Sequence, residues 1–237
     1  FEKLGIGGTA LGGGLTLDMR RRGLVCDQLQ EMQLVTPRGD LWTCNRETHF
    51  DTFWAARGAG GGQLGALTSL VLKTFEVEDL TVFRMVWESD LEDLFPTLLT
   101  LLPEGPESLG AELVLTARHG REARLELIGQ FSGPHDELRN LLDAAFQIAT
   151  PKEEQIETLS FWEAKAVLAR VAPPVSQAER TRYAYSEFAV EACDKILEAL
   201  RVWPGTGGEA RWSAHLTGKS VDNVGRRNTA YVHRGAR

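Results

Sequence analysis

Apolar and polar residues alternate in several stretches of the first third of the chain. Residues 28–44 read as two strands joined by turn residues at 37–40, and residues 67–77 read as a third, β-branched strand. Between them, residues 50–56 have helical spacing, with Asp51 as the predicted N-cap. The pattern predicts a β-rich region that contains one short helix.

The rest of the chain switches between strand and helix patterns, and the glycine-rich composition ends at residues 78–80. We predict two domains, 1–77 and 78–237. Strands are predicted in the second domain at 81–88, 109–118, 121–132, 210–218 and 229–234. Helices are predicted at 90–102, 135–149, 161–171 and 190–203. A hairpin turn is expected at His119-Gly120 and a loop at 173–182. This order is satisfied by an antiparallel sheet backed by helices, so the predicted fold class is α+β.

Eleven glycines lie in three clusters, at 5–8, 12–14 and 58–65. Glycine serves where the backbone needs positive φ or where a bulky group approaches it closely. The pattern Gly5-x-Gly7-x-x-Ala10 superficially matches a dinucleotide fingerprint, but the glycines at 12–14 fall where that motif needs a helix. We therefore predict irregular loops whose backbone amides surround a phosphate-bearing molecule. Tight turns in a β-rich domain are the alternative.

Composition excludes several classes of function. The net charge of −7 argues against nucleic-acid or anionic-membrane partners, and no apolar run approaches the roughly 20 residues of a membrane span. Three cysteines without metal-ligand spacing predict buried free thiols and no metal site. We expect a soluble protein whose compartment the sequence leaves undetermined.

Three segments resemble flavin-linked oxidases of the berberine-bridge-enzyme type, which have a PCMH-type FAD-binding domain within the vanillyl-alcohol-oxidase and p-cresol-methylhydroxylase superfamily. The first segment, GIGGTALGGGLTLDMRRRGLVCD, matches the family pattern at Gly5, Gly7, Gly8, Gly12, Gly13, Gly14, Arg20, Gly23, Leu24 and Asp27. The second, DTFWAARGAGGGQLGALT, covers 51–68. The third, TAYVHRGAR, matches at Thr229, Ala230, His233 and Arg234. The chain resembles the second half of the FAD-binding domain followed by a substrate domain.

The resemblance implies FAD as cofactor, held by two sets of residues. Residues along the flavin and its ribityl-diphosphate would be Gly5, Gly7, Gly8, Gly12, Gly13 and Gly14, while Gly65 to Leu67 would lie near the adenine end. Gly23 is a further predicted cofactor-binding residue. The antiparallel sheet of 78–237 would roof the isoalloxazine. Such enzymes, many of secondary metabolism, oxidise a small alcohol, sugar, amine or activated C–H compound. Hydride passes to the flavin, which O2 reoxidises.

Several positions depart from the family pattern. Leu15 and Thr16 replace an aromatic residue and a glycine, and Phe1 stands where some members carry a flavin-linking cysteine. The N-terminal subdomain and an NYxD-like segment have no counterpart, and no carboxylate base precedes His233-Arg234. The catalytic residues are therefore unknown. A degenerate flavin-binding or interaction protein is one alternative, and a scaffold without flavin is another.

We also predict the roles of a few single residues. We expect His215 and the pair His233-Arg234 to be structural. Trp54 and Arg57 are predicted to brace the third glycine cluster.

Overall fold

The computed structural model describes residues 5–60, 62–118, 123–169, 180–203, 205 and 208–236. These residues pack as two units. The first unit comprises residues up to Val77 together with Gly218–Ala236, and the second comprises Glu78–Thr217. The sequence assigned 218–237 to the second domain, whereas the structure packs 218–236 on the first unit.

The first unit is built on a three-stranded antiparallel sheet of order β2-β1-β3. Met32 in the central strand pairs with Cys44 on one side and with Leu70 on the other. The elements are α1 (Ile6–Leu11), α2 (Met19–Arg22), a 3₁₀ turn (Val25–Gln28), β1 (Leu29–Val35), β2 (Leu41–Asn45), α3 (Phe50–Ala56), β3 (Ala66–Leu72) and a short helix at Ser220–Asn223.

The predicted strand pair and the helix at 50–56 are confirmed, but two details differ. The N-cap of α3 is His49, which has a φ of 47°, and not Asp51. The first glycine cluster opens a helix, where we predicted an irregular loop. Hydrogen bonds from Thr9 N to Gly5 O and from Gly12 N to Gly8 O close its turns. Burial of Leu11 offsets a glycine cost of about 1 kcal/mol per helical position.

The second unit is a five-stranded antiparallel sheet of order β7-β4-β6-β5-β8 with helices packed on it. Its strands are β4 (Leu80–Trp87), β5 (Leu109–Arg118), β6 (Arg124–Phe131), β7 (Glu153–Leu159) and β8 (Glu209–His215). Its helices are α4 (Leu91–Glu104), α5 (His135–Leu141), α6 (Asp143–Ile148), α7 (Phe161–Ala169) and α8 (Val190–Arg201).

The core of the second unit lies between one face of the sheet and the helices. Met85 and Leu113 both pair with Leu127, which places the three buried side chains on the same face. The rings of Phe95 in α4 and Trp212 in β8 meet edge to face with centroids 5.0 Å apart. Helices on one face of an antiparallel sheet are the predicted α+β arrangement.

The opposite face of this sheet is largely polar. Arg84 ion-pairs with Glu126 and, at 2.7 Å, with Glu153. A separate charged group, formed by Glu112, Arg211 and His215, lies on β5 and β8. On this face α7 packs against Leu80 and Val82 near one edge of the sheet.

Three secondary-structure expectations need correction. Strand β7 was not predicted, because its sequence, EEQIETL, offers only two apolar side chains at the edge of the sheet. The helix expected at 135–149 is interrupted at Leu142. Residues 229–234 form no strand, because the N–H groups of Ala230 and Tyr231 bond to carbonyls at the end of α3.

Two other expectations fall wholly or partly outside the described residues. The hairpin turn expected at 119–120 and most of the loop expected at 173–182 lie outside the described residues, although β5 and β6 pair as predicted. The three cysteines are free and buried, as predicted. None of the helices in the described ranges combines the length and hydropathy required to cross a bilayer.

Candidate cofactor-binding site

The three segments that matched the family pattern all lie in the first unit. Segment 218–236 runs along the end of α3, where Ala230 N donates to Trp54 O at 3.3 Å and Tyr231 N donates to Arg57 O at 3.2 Å. These bonds join residues that are more than 170 positions apart in sequence. The second and third segments of the family resemblance are therefore in direct contact.

Two side chains reinforce the same contact. Trp54 Nε1 donates to the carbonyl of Arg227 at 2.7 Å, and Arg57 Nη2 donates to the carbonyl of Asn228 at 2.7 Å. The Arg57 guanidinium also lies 4.5 Å from the centre of the Phe53 ring, and its burial lowers its pKa. Trp54 and Arg57 therefore brace the start of the third glycine cluster, as predicted.

Tyr231 occupies space that two glycines leave open. A Cβ added to Gly13 would lie 2.8 Å from Cδ2 of the Tyr231 ring, and a Cβ on Gly58 would overlap the Tyr231 backbone. Both glycines also have positive φ, at 113° and 122°. Amides of the third cluster reach back to the first, because Gly58 N and Gly60 N both donate to Leu11 O. Gly13 and Gly58 thus have an internal packing role.

Several other predicted site residues are also surrounded by protein atoms. A Cβ on Gly14 would lie 2.6 Å from Val25 Cβ, one on Gly12 would lie 3.1 Å from Gly8 O, and one on Gly65 would overlap the Val35 carbonyl oxygen. These clearances explain the glycines without a ligand, as in the alternative of tight turns.

A third group of predicted residues lies around the start of α1. A Cβ on Gly5 or Gly8 would meet no atom of the described residues within 4 Å, and one on Gly7 would lie 3.0 Å from Leu67 Cδ2. The structure thereby brings the predicted residues Gly7 and Leu67 together. The N–H groups in the first turn of α1 have no intrahelical acceptor, since helical bonding begins with Thr9 N.

These features decide how well a dinucleotide fits. The diphosphate of FAD is an anion, and the first turn of α1 has backbone N–H groups without an intrahelical acceptor beside Gly5 and Gly8. At the glycines at 12–14 and 65, other protein atoms already occupy the space that a Cβ would need. Among the predicted cofactor-binding residues, Gly5 and Gly8 are thus the ones that no other described residue crowds, so the described residues leave room for FAD there.

A buried ion pair fixes segment 218–236 at its other end. Arg234 and Asp27 form two hydrogen bonds, of 2.8 and 2.6 Å, and their side chains are only 1% and 7% exposed. Arg234 also donates to Thr229 Oγ1 and to the Val221 carbonyl. Burial alone would lower the pKa of Arg234, but the Asp27 carboxylate outweighs it and raises that pKa.

Asp27 of this ion pair also affects the neighbouring residues Gly23, Leu24 and Cys26. Leu24 N donates to Asp27 Oδ2 at 2.9 Å, and Asp27 closes around Gly23, where a Cβ would lie 3.0 Å from the same oxygen. Burial, followed by the neighbouring Asp27 charge, raises the pKa of the Cys26 thiol to about 12. The predicted site residue Gly23 thus belongs to the ion-pair environment.

Sequence reasoning missed the partner of Arg234. We paired it with His233, whereas its carboxylate partner is Asp27, 207 positions away. The signal was present, because Asp27 and Arg234 are both motif residues of opposite charge. The His233 ring meets the Tyr231 ring edge to face, with centroids 5.8 Å apart.

Polar side chains also gather on the second unit, in the charged group formed by Glu112, Arg211 and His215. Arg211 Nη2 donates to Glu112 Oε1 at 2.7 Å, and His215 Nε2 lies 3.7 Å from the same oxygen. His215 thus has a carboxylate neighbour, in keeping with the structural role expected for it. Within the described residues, no cluster of histidine, cysteine or acidic side chains is arranged to hold a metal ion.

Comparison with known proteins gives these features a context. No family profile matches the chain. An uncharacterized FAD-linked oxidoreductase of Bacillus subtilis, YgaK, is 31% identical over 169 residues, covering 69% of this chain and 37% of that protein. A second from the same organism, YvdP, is 28% identical over 241 residues, covering 98% of this chain and 52% of its own length.

The fold is likewise shared with a solved structure. A berberine bridge enzyme variant, C166A, superposes with a TM-score of 0.81 at 23% identity, covering 97% of this chain and 48% of that protein. The chain thus spans about half or less of each relative's length. The resemblance predicted from the glycine motifs is confirmed: over that length, this chain is a relative, in sequence and in fold, of the FAD-linked oxidoreductases of the berberine-bridge-enzyme type.

Proposed function

We propose that this chain is part of an FAD-dependent oxidase that removes hydride from a small organic substrate, with O2 as the final electron acceptor. The observation that carries the proposal is similarity along 98% of the chain to a protein named as an FAD-linked oxidoreductase. The open backbone at the start of α1 supports it independently. When bound, FAD supplies the hydride acceptor that no side chain provides.

The first unit would bind the cofactor through its backbone. Residues Gly5–Gly8 would hold the ribityl-diphosphate, because the first helical turn presents N–H donors and two positions that no other described residue obstructs. The glycines at 12–14 would act one step further away, by allowing the protein to pack closely behind that turn. The proposed direct contacts are therefore fewer than the glycine pattern alone suggests.

The second unit would bind the substrate on the polar face of its sheet. The carboxylate of Glu112, held by Arg211, can accept a hydrogen bond from a substrate hydroxyl or amine. His215, 44% exposed at its side chain, offers a second polar contact on the same face. A small alcohol, sugar or amine therefore suits this surface.

A non-catalytic flavin-binding protein is the alternative. It is less well supported, since the bacterial relatives are named as oxidoreductases. The two functions differ in turnover and agree in FAD binding, so binding and turnover need to be measured separately.

The decisive experiment measures FAD binding by the intact protein and by Gly8→Ala. In the FAD-free protein, alanine should stabilise α1 by up to about 1 kcal/mol, because it costs less backbone entropy than glycine. If the cofactor lies against this turn, the same methyl group should weaken FAD binding by about tenfold, which corresponds to about 1.4 kcal/mol.

The matched control is Gly225→Ala, another first-unit glycine, where a Cβ would meet its nearest neighbour at an ordinary 3.4 Å. Unchanged affinity in Gly8→Ala would remove α1 from the binding site. A purified intact protein without the absorption bands of oxidised flavin, even after addition of FAD, would contradict the proposal as a whole. FAD binding without turnover of alcohols, sugars or amines would favour the non-catalytic alternative.

A further inference from the structure

Segment 218–236 is anchored on both sides of the glycine clusters. On one side, the Tyr231 ring lies against Gly13, and the backbone and Cβ of Tyr231 lie against Gly58, so the ring spans the gap between Gly13 and a backbone that is itself in contact with Gly58. On the other side, Arg234 binds Asp27 in a buried, doubly hydrogen-bonded ion pair. These two anchors are three residues apart, so the position of the Tyr231 ring is closely tied to that of Asp27.

The Asp27 anchor is connected to the second glycine cluster through the backbone. Cys26 N donates to Gly13 O at 2.9 Å, and Val25 N donates to Gly14 O at 3.1 Å. The ion pair therefore fixes the turn that holds the loop at 12–14. Tyr231 lies against the same loop from the side of Gly13, which places the loop between two fixed neighbours.

The third glycine cluster is connected to α1 through Leu11. The amides of Gly58 and Gly60 donate to Leu11 O at 3.0 and 2.9 Å, and Leu11 is the last residue of α1. Since Tyr231 N bonds to Arg57 O, a shift of Tyr231 displaces the segment at 57–60 and, with it, the end of α1. We expect α1, which has only six residues, to carry such a shift to its first turn as a rigid element.

We propose that Tyr231 is a positioning residue for the cofactor site: its ring sets the separation of the loops at 12–14 and 57–60, and so the orientation of α1. Tyr231 is buried and acts through the glycines it contacts. The inference rests on the proposed function only in its consequence for FAD. The effect on the loops themselves is independent of any ligand.

The test compares three variants of the intact protein. Tyr231→Ala removes the ring, Tyr231→Leu keeps a smaller apolar group, and Tyr231→Phe keeps the ring without its hydroxyl. The matched control is Met32→Ala, since Met32 is 1% exposed in β1 and its truncation also leaves a cavity in the first unit. All variants are compared at a temperature at which circular dichroism shows them folded.

The first measurement is hydrogen exchange of the Gly58 and Gly60 amides in the FAD-free protein. We expect exchange to be at least about tenfold faster in Tyr231→Leu and Tyr231→Ala than in Met32→Ala at equal global stability, and unchanged in Tyr231→Phe. Equal exchange in Tyr231→Leu and Met32→Ala would overturn the proposal, because a residue that only stabilises the unit predicts that result.

The second measurement is the dissociation constant for FAD, from quenching of flavin fluorescence. We expect at least about tenfold weaker binding in Tyr231→Leu and wild-type affinity in Met32→Ala and Tyr231→Phe. Wild-type affinity in Tyr231→Leu would overturn the link to the cofactor. If the unaltered protein itself fails to bind FAD, the proposed function is contradicted, and the exchange experiment alone decides whether Tyr231 positions the loops.

Discussion

The two units bury apolar surface to different extents. Among the described residues, the second unit has one large cluster of twenty-four buried apolar side chains, which spans its sheet and four of its helices, and a small cluster of three under α7. The first unit has two separate clusters, of seven and five. Its structure depends in addition on an ion pair, on long-range backbone hydrogen bonds and on glycine clearances.

The units also differ in charge. Residues 1–77 and 218–236 contain twelve Lys and Arg against nine Asp and Glu, whereas residues 78–217 contain thirteen against twenty-four. The unit with the proposed diphosphate site is therefore net positive inside an acidic chain, which favours an anionic ligand. We infer that single polar contacts determine the shape of the first unit, while the burial of many apolar side chains together determines that of the second.

The largest expected effect comes from breaking the buried ion pair of the first unit. Arg234→Met leaves the Asp27 carboxylate buried without its cation, so the free energy of unfolding of that unit should fall by about 3–5 kcal/mol. Native-state hydrogen exchange can measure this value, because it reports on the two units separately.

An ion pair of the second unit provides the control. Arg118 and Glu209 pair at 2.9 Å, but their side chains are 59% and 43% exposed. Arg118→Met should therefore cost about 1 kcal/mol or less. Equal losses in the two variants would show that single polar contacts matter no more in the first unit than in the second.

The next effect concerns steric clearance. Gly58→Ala introduces a methyl group against the Tyr231 backbone at a residue whose φ is 122°, so strain and overpacking together should cost roughly 2–4 kcal/mol. Thermal and urea unfolding would measure the loss. The control is Gly62→Ala, where a Cβ meets no atom of the described residues within 4 Å and the change should stay within about 0.5 kcal/mol. If Gly58→Ala left the stability unchanged, the close approach of the Tyr231 backbone could not be the reason for a glycine at position 58.

The sequence predicted the second unit better than the first, and the reason is physical. Helices and strands that bury one face repeat apolar residues at 3.6 or 2 positions, and this local signal identified α4, β5 and β6. Only β7 was missed, where burial is slight and the signal correspondingly weak.

The first unit depends on contacts that leave no local pattern. Gly13, Gly58 and Tyr231 meet across long stretches of sequence, so the glycines suggested a missing side chain without revealing that a tyrosine fills the space. The family resemblance located all three motifs but not their mutual contacts. For this reason Gly13, Gly14 and Gly65 were predicted to lie against a ligand, and the structure gives each of them a neighbour within the protein.

The last expected effect depends on pH and tests the burial of Cys26. Its pKa is raised from 9.0 to about 12, which means that folding favours the neutral thiol. The stabilisation is complete below pH 9, where the thiol is neutral in both states, and it is lost as the pH rises from 9 towards 12. Between these values the free energy of unfolding should fall by about 1.4 kcal/mol per pH unit from this group.

Other groups titrate in the same range, so the measurement compares two proteins. Urea unfolding of the unaltered protein and of Cys26→Ala between pH 8 and pH 10.5 should give curves that converge as the pH rises, because only the former loses the Cys26 contribution. Parallel curves would mean that the thiol titrates normally in the folded state. The apolar cluster containing Cys26, Met19 and Leu24 would then admit water, and the first unit would rely on its polar contacts even more than the buried clusters indicate.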